Sequence, residues 1–372
     1  MTSRERLLSA YNNEKPDHLP ATVHSWMEYF LNTYLRGVDQ YEAYEATGLD
    51  MVIYDVVYED KGGMFLYISE MMQTPDWKVE QKTYQKEEGL AATEYTITTP
   101  QKTITAKTET NVYTTWITEP PVKEKEDIEI LKKYMPYPKI DVKAVNSIAD
   151  GIGDRGILRT HVFGYGQPGC WQDACCLYGT TNMIYATYDD PEWVHSFLKM
   201  LMEKKLEWLD AMKGARFDVL ELGGGDASDT VISPELFEEF VLPYDKKIVD
   251  AIHNIDLRVV YHTCGGMMNI LDQIQATGAD GSETLTPRGM GGNADLTEIK
   301  NKLGESMFLQ GGFDQLHGFK DCSPDVTRSM VFDCFEKAGP GGGYVICPSD
   351  HFFDADVANV KAFAKAAKEC RY

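Results

Sequence analysis

The chain has 372 residues, 43% hydrophobic and 25% charged, the proportions of a soluble globular protein long enough for one large barrel or two ordinary domains. Its 36 Lys and Arg against 58 Asp and Glu give a net charge of -22, which excludes sequence-independent binding to nucleic acid and adsorption to anionic membranes, since both need a basic surface. Residues 1–20 carry no apolar core of a signal peptide and no run reaches the length of a membrane span, so a cytoplasmic protein with reduced or metal-bound cysteines is expected.

Taken in order, residues 2–12 have helical spacing, with Leu7, Leu8 and Tyr11 on one side. Residues 19–26 read as a first strand that ends in His24 and Ser25, followed by a helix over 27–35 and a second strand over 50–58. From about residue 65 to 120 the pattern changes to Thr-rich alternation in three runs, 94–99, 102–108 and 112–118, which predicts an inserted antiparallel hairpin or small sheet. Strands then alternate with helices: strands near 156–164, 217–225, 257–265, 279–287, 306–313 and 342–349, with helices over 171–186, 191–214, 234–253, 267–277, 296–303, 324–338 and 356–370. Eight strand runs alternating with helices imply a single (β/α)8 TIM barrel spanning 1–372, with the insertion at about 65–120.

Polar or Gly-rich clusters fall at the C-terminal end of each strand, the face that carries the active site in such barrels. At the end of the 257–265 run, His262 and Cys264 stand at i and i+2, so an extended chain points both side chains the same way. Cys347 ends the last strand and Glu283 ends the 279–287 run, and one imidazole, two thiols and a carboxylate form a donor set suited to zinc. Glu283 is the fourth ligand favoured by position, with Glu221 and Asp314 as rivals. Zinc with thiolate ligands polarises an oxygen or holds a substrate thiol, chemistry that points to group transfer. The Glu221-Leu222-Gly223-Gly224-Gly225-Asp226 stretch lacks the spacing of a dinucleotide or phosphate loop. Its glycines would allow a flat, bulky ligand to approach, with Glu221 and Asp226 facing the cavity as candidate catalytic groups, or they simply make a tight turn. His24 and Trp26 would grip substrate or serve in packing. Cys170, Cys175, Cys176, Cys322, Cys334 and Cys370 read as structural thiols.

Several stretches together resemble the uroporphyrinogen decarboxylase superfamily, and within it the zinc-dependent, corrinoid-linked methyltransferase branch. They are the Thr2-Ser3-Arg4-Glu5-Arg6-Leu7 opening with Pro16-Asp17-His18-Leu19-Pro20, the Gly223-Gly224-Gly225-Asp226 turn, Tyr261-His262-Thr263-Cys264-Gly265-Gly266, Gln310-Gly311-Gly312-Phe313-Asp314, and Gly343-Tyr344-Val345-Ile346-Cys347-Pro348. The resemblance covers most of the chain outside the insertion. It implies that His262, Cys264 and Cys347 bind zinc, and the similar order of ligands in cobalamin-independent methionine synthases supports Glu283. True decarboxylases carry an Arg-containing motif near the first strand, where this chain has His24-Ser25-Trp26-Met27-Glu28-Tyr29, and that departure argues against decarboxylation. The resemblance therefore implies methyl transfer between a small methylated substrate and the cobalt of a corrinoid. No D-x-H-x-x-G motif is present, so the corrinoid would come from a partner corrinoid protein. The insertion is similar to that of members acting on methoxylated aromatics, and Trp26, Tyr165 and Asp314 join His24 as expected substrate contacts. The alternatives are a methylcorrinoid:thiol methyltransferase of the coenzyme M type, a decarboxylase-like enzyme, and a non-catalytic corrinoid- or ligand-binding barrel; self-association as a homodimer is compatible with all of them.

Overall fold

The computed structural model describes residues 1–58, 73–164 and 167–372, so the part of the expected insertion before residue 73 lies outside the described residues. The first barrel strand, β1 (Met51–Tyr54), is followed by a separate antiparallel sheet of β2 (Lys78–Glu87), β3 (Leu90–Thr98), β4 (Thr103–Thr110) and β5 (Thr115–Glu119), paired in that order. The barrel then resumes with β6 (Gly156–His161), β7 (Val219–Gly223), β8 (Arg258–His262), β9 (Gly281–Thr284), β10 (Phe308–Phe313) and β11 (Tyr344–Pro348). Apart from the half-exposed Tyr54 and Arg258 at their ends, these strands are buried throughout, as expected of parallel strands covered by helices. They form one parallel sheet in the order β1-β6-β7-β8-β9-β10-β11.

The expected first strand closes this sheet into a ring. Ala21 bridges Ile346 in parallel, with Thr22 N–H donating to Ile346 O (3.1 Å) and Ile346 N–H to Pro20 O (3.0 Å). On the other edge Asp50 N–H donates to Ala21 O (2.7 Å), while the Asp50 carboxylate accepts from Ala21 N–H (3.1 Å) and from Arg6 (2.5 Å). Pro20 has no N–H to give a ladder, so this run closes the barrel without becoming a regular strand. The (β/α)8 architecture with an inserted small sheet is therefore present.

The local differences have physical causes. The mostly exposed, Lys- and Glu-rich β2 is not legible as a strand; such composition is how edge strands resist further pairing. The helix expected over 234–253 is two, Pro234–Phe240 and Leu242–His253, because Pro243 lacks the N–H that would continue the first. The helix expected over 171–186 breaks at Gly179, whose φ of 98° no helix accommodates. Among the described residues, no helix is long and apolar enough to cross a membrane.

The N-terminal helix (Ser3–Tyr11) seals the bottom of the barrel. Thr2 and Glu5 form a capping box at its start. Arg4 pairs with Asp218 through both terminal nitrogens (2.9 and 2.5 Å), and Tyr11 stacks on Phe308 (4.2 Å) while donating to Gln310 (2.8 Å). On the outer layer, Tyr261 of β8 donates to Asp245 of the Leu242–His253 helix (2.8 Å), which turns its neighbours Val260 and His262 inward.

Burial pushes the Asp245 carboxyl up to about 6. Between the ordinary 3.8 and about 6 the native protein therefore retains a proton that the unfolded chain has released, and stability falls as pH rises through that window. At about 1.4 kcal/mol per unit this contributes a loss of roughly 3 kcal/mol. Urea unfolding at a series of pH values should show this fall in the wild type and a flatter profile in Asp245→Asn; identical slopes in the two proteins would contradict it.

Candidate metal centre and active-site cleft

The strand register aligns polar side chains on one level of the barrel interior. Tyr54 lies beside Arg159, His161 beside Glu221, and His262 beside Glu283, which in turn faces Gln310. His262, delivered by the inward face of β8, shows a different environment at each ring nitrogen. Its Nε2 lies 2.6 Å from Cys264 Sγ and 3.0 Å from the amide nitrogen of Gln167, which also donates to Cys264 Sγ (3.3 Å). Its Nδ1 lies 3.0 Å from Glu283 Oε1 and 3.3 Å from Glu221 Oε1. Gly265, at φ 106°, provides the left-handed turn immediately after Cys264.

Arg159 anchors the two carboxylates. It donates to both oxygens of Glu283 (2.8 and 2.6 Å) and to Glu221 (2.6 Å), and it is wholly excluded from solvent. Tyr54 adds a hydrogen bond to Glu221 (3.1 Å) and Gln310 one to Glu283 (3.1 Å), which links the site through Tyr11 to the barrel floor. Burial alone would raise both carboxyls, but the neighbouring cations win. Arg159, His24 and His262 hold Glu283 well below the usual range, and His262, His24 and Arg159 hold Glu221 down at about 2. Burial likewise opposes charge on His262, yet Cys264, Glu221 and Glu283 keep its imidazole well above its ordinary value. Burial lowers His24 to about 4 and raises the thiols of Cys264 and Cys347.

Among the described residues, four metal-capable side chains, His24, Glu221, His262 and Glu283, have ligand atoms all within 4.8 Å of one another. That group is held by its own ion pairs, because Arg159 already donates to three of the four carboxylate oxygens and the fourth faces His262 Nδ1. The Nε2 side is the better fit for zinc, since an imidazole nitrogen and a sulfur meet there while the carboxylates hold the opposite nitrogen, the arrangement by which acids behind the ring orient a metal-binding histidine. The nitrogen and sulfur must part from 2.6 Å to roughly 3.5 Å to share a tetrahedral zinc at ordinary bond lengths. On this geometry Glu283, expected as the fourth ligand, lies at the nitrogen facing away from the thiol. Cys347 is fully buried on β11, within electrostatic reach of Glu283 and Arg159, and is not part of the four-residue group.

The other expected site residues divide. His24 joins the cluster, 3.8 Å from Glu221 and 3.9 Å from Glu283, and Trp26 lines the same cleft while packing on Phe30 (5.7 Å). Asp226 instead accepts from Gln172 (2.7 Å) and Thr180 (3.1 Å) beside a neighbouring recess. Asp314 caps the helix Gln315–Gly318, pairs with His317 (2.8 Å) and lines a separate hollow with Leu296 and Cys334, so it does not join the cleft. Tyr165 lies outside the described residues. The glycines of 223–225 are filled by the chain itself rather than left open to a flat ligand: a Cβ on Gly223 would sit 2.4 Å from His262 O, one on Gly224 2.7 Å from Gln172 Oε1, and one on Gly225 3.4 Å from the Cys264 Cβ. Arg159, Gln167, Tyr54 and His351 are not legible in the sequence as site residues. The available signal is Arg159 itself, an arginine sharing the face of Ile157 and His161 in a strand that opens Gly-Ile-Leu.

Above the cluster opens a cleft of about 500 Å³ whose described lining includes Trp26, Tyr29, Tyr54, His161 and His351, with Glu28 at the rim and no Lys or Arg. His351 meets Ser25 across it (3.1 Å).

The family model for uroporphyrinogen decarboxylase (URO-D) matches residues 95–370. The chain is 23% identical to uroporphyrinogen decarboxylase of Crocosphaera subtropica over 263 residues, covering 68% of this chain and 70% of that protein. It is 24% identical to a methylated-thiol–coenzyme M methyltransferase of Methanosarcina mazei over 193 residues, covering 51% and 48%. Several curated relatives are thus spanned for about half their length. The solved structure of a methyltransferase from Methanosarcina mazei superimposes over 99% of both chains with a TM-score of 0.68 at 16% identity, which shows a shared fold.

Replacing Arg159 by Met should cost about 3–5 kcal/mol, because it leaves two buried carboxylates without their cation. Denaturant unfolding at neutral pH reads this directly, and a loss below about 1 kcal/mol would contradict the assigned network.

Proposed function

The chain belongs to the uroporphyrinogen decarboxylase family, and on that premise we propose that it is a zinc-dependent methyltransferase of the corrinoid-linked branch, moving a methyl group between a small methylated substrate and the cobalt of a corrinoid carried by a partner protein. The observation that carries the reading is the pairing of His262 Nε2 with Cys264 Sγ at the floor of an aromatic-lined cleft. His262 and Cys264 would hold the metal, with Cys347 as the third candidate. The chemistry a zinc ion supplies at that point is Lewis-acid polarisation of the heteroatom that bears the methyl group.

The rest of the work falls to the chain. Glu283 and Glu221 fix the His262 ring through Nδ1, and Arg159 fixes them. The Gln167 amide, held because its oxygen accepts from Gly225 N–H (2.6 Å), presses its nitrogen toward Nε2 and Sγ and so keeps the pair aligned. Trp26, Tyr29 and Tyr54 offer flat apolar faces and hydroxyls, which suit a neutral methylated molecule such as a methoxylated aromatic.

A porphyrinogen with many carboxylates would meet no described Lys or Arg in this lining, and Arg159 beneath it is already paired with Glu221 and Glu283. The decarboxylase reading is disfavoured on that ground. The methylated-thiol–coenzyme M methyltransferase relative favours a sulfur substrate as a second reading within the same chemistry.

Incubation of the zinc-loaded protein with cob(I)alamin and either methoxybenzenes or dimethyl sulfide should produce methylcobalamin, read by its absorbance. His262→Ala should lower the rate by about 100-fold or more, the scale expected when several kcal/mol of Lewis-acid stabilisation are lost. Full activity in that variant, or carbon dioxide release from uroporphyrinogen with no methyl transfer to or from cobalamin, would contradict the reading.

A further inference from the structure

The inserted sheet reaches over the barrel mouth. Its β4–β5 turn is tied by Asn111, whose N–H donates to Thr114 O (3.0 Å) and whose Oδ1 accepts from the N–H groups of Tyr113 and Thr114 (both 2.9 Å). Held in this way, the Tyr113 ring lies 4.9 Å from Tyr29, in the helix after the first barrel run, and 4.9 Å from Phe353, in the loop after the last strand. The tip of the insertion thus rests on the segments that follow two neighbouring members of the ring, the first run and β11.

Tyr113 stands between two hollows. On one side is the cleft of about 500 Å³ that leads to His262; on the other is a recess of about 690 Å³ bordered by Trp116, Ile117 and Cys176. Both are lined by Met27, Tyr113, Thr114, Thr115 and His351, so the two hollows adjoin at the turn. The Tyr113 ring lines both hollows and is 39% exposed.

We infer that Tyr113 is a specificity-determining residue, a wall that limits the His262 cleft to small methylated compounds and excludes larger ring systems, an inference that rests on the methylated-substrate reading above. Removing the ring joins the two hollows into a space long enough for a bicyclic substrate. A pocket wall of this kind is expected to change discrimination by about tenfold or more.

The test uses the full chain as purified, with binding followed through the fluorescence of Trp26, which lines the cleft, and Trp116, which lines the recess. The wild type should bind methoxybenzene at least about tenfold more tightly than 2-methoxynaphthalene. Tyr113→Ala should abolish or reverse that preference, and Tyr113→Phe, which keeps the ring, should retain it. An unchanged size preference in Tyr113→Ala, or no binding of either compound by the wild type, would overturn the inference. Binding with the expected size pattern but no methyl transfer to cob(I)alamin would instead sink the functional reading and leave the wall in place.

Discussion

The site depends on one buried ion network. Arg159, wholly excluded from water, holds Glu283 through two hydrogen bonds and Glu221 through a third, and those carboxylates hold His262. Burying such charges is costly unless each is compensated. Here two carboxylates face a guanidinium and the Nδ1 side of an imidazole, so the cost is offset only in the complete arrangement. That interdependence fixes the ring orientation: Nδ1 has to face the acids, and Nε2 is left for Cys264.

The consequence for chemistry is a division of labour between the two sides of one ring. Acidic groups and the arginine form a fixed layer below, reaching through Gln310 and Tyr11 to the barrel floor. His262 lines a cleft with aromatic walls and no described Lys or Arg, with Cys264 at its Nε2. A floor that is electrostatically satisfied and a mouth that is largely neutral favour small uncharged substrates over polyanions. That contrast is the ground on which methyl transfer, rather than decarboxylation of a polycarboxylate, is proposed for this member of the family.

Much of this is legible in the order of the residues alone. The eight strand runs, the i, i+2 placement of His262 and Cys264 on an inward face, and the convergence of His24 with them follow from strand periodicity and barrel topology. What residue order does not convey is contact. It makes Glu283 a ligand candidate, but it cannot say which ring nitrogen the carboxylate will meet, and it meets Nδ1. Asp314 and Asp226 end their strands as the pattern requires, yet their oxygens are taken up by a helix cap and by Gln172 and Thr180. Arg159 is hidden because a charged residue in a buried strand reads as an exception until its partners, on strands 62 and 124 residues away, are brought beside it. The reach of the inserted turn over the mouth is a long-range contact of the same kind.

The central claim is that His262 and Cys264 bind zinc while Glu283 orients the histidine from behind. Elemental analysis and zinc-affinity titration of the wild type, Cys264→Ser and Glu283→Gln address it most directly. The account predicts about one zinc per wild-type chain and its loss in Cys264→Ser. Glu283→Gln should retain zinc with affinity lowered by about 10–100-fold, the usual effect of removing the group that orients a ligand histidine. A wild type without zinc, or a Cys264→Ser variant that keeps it, would contradict the account.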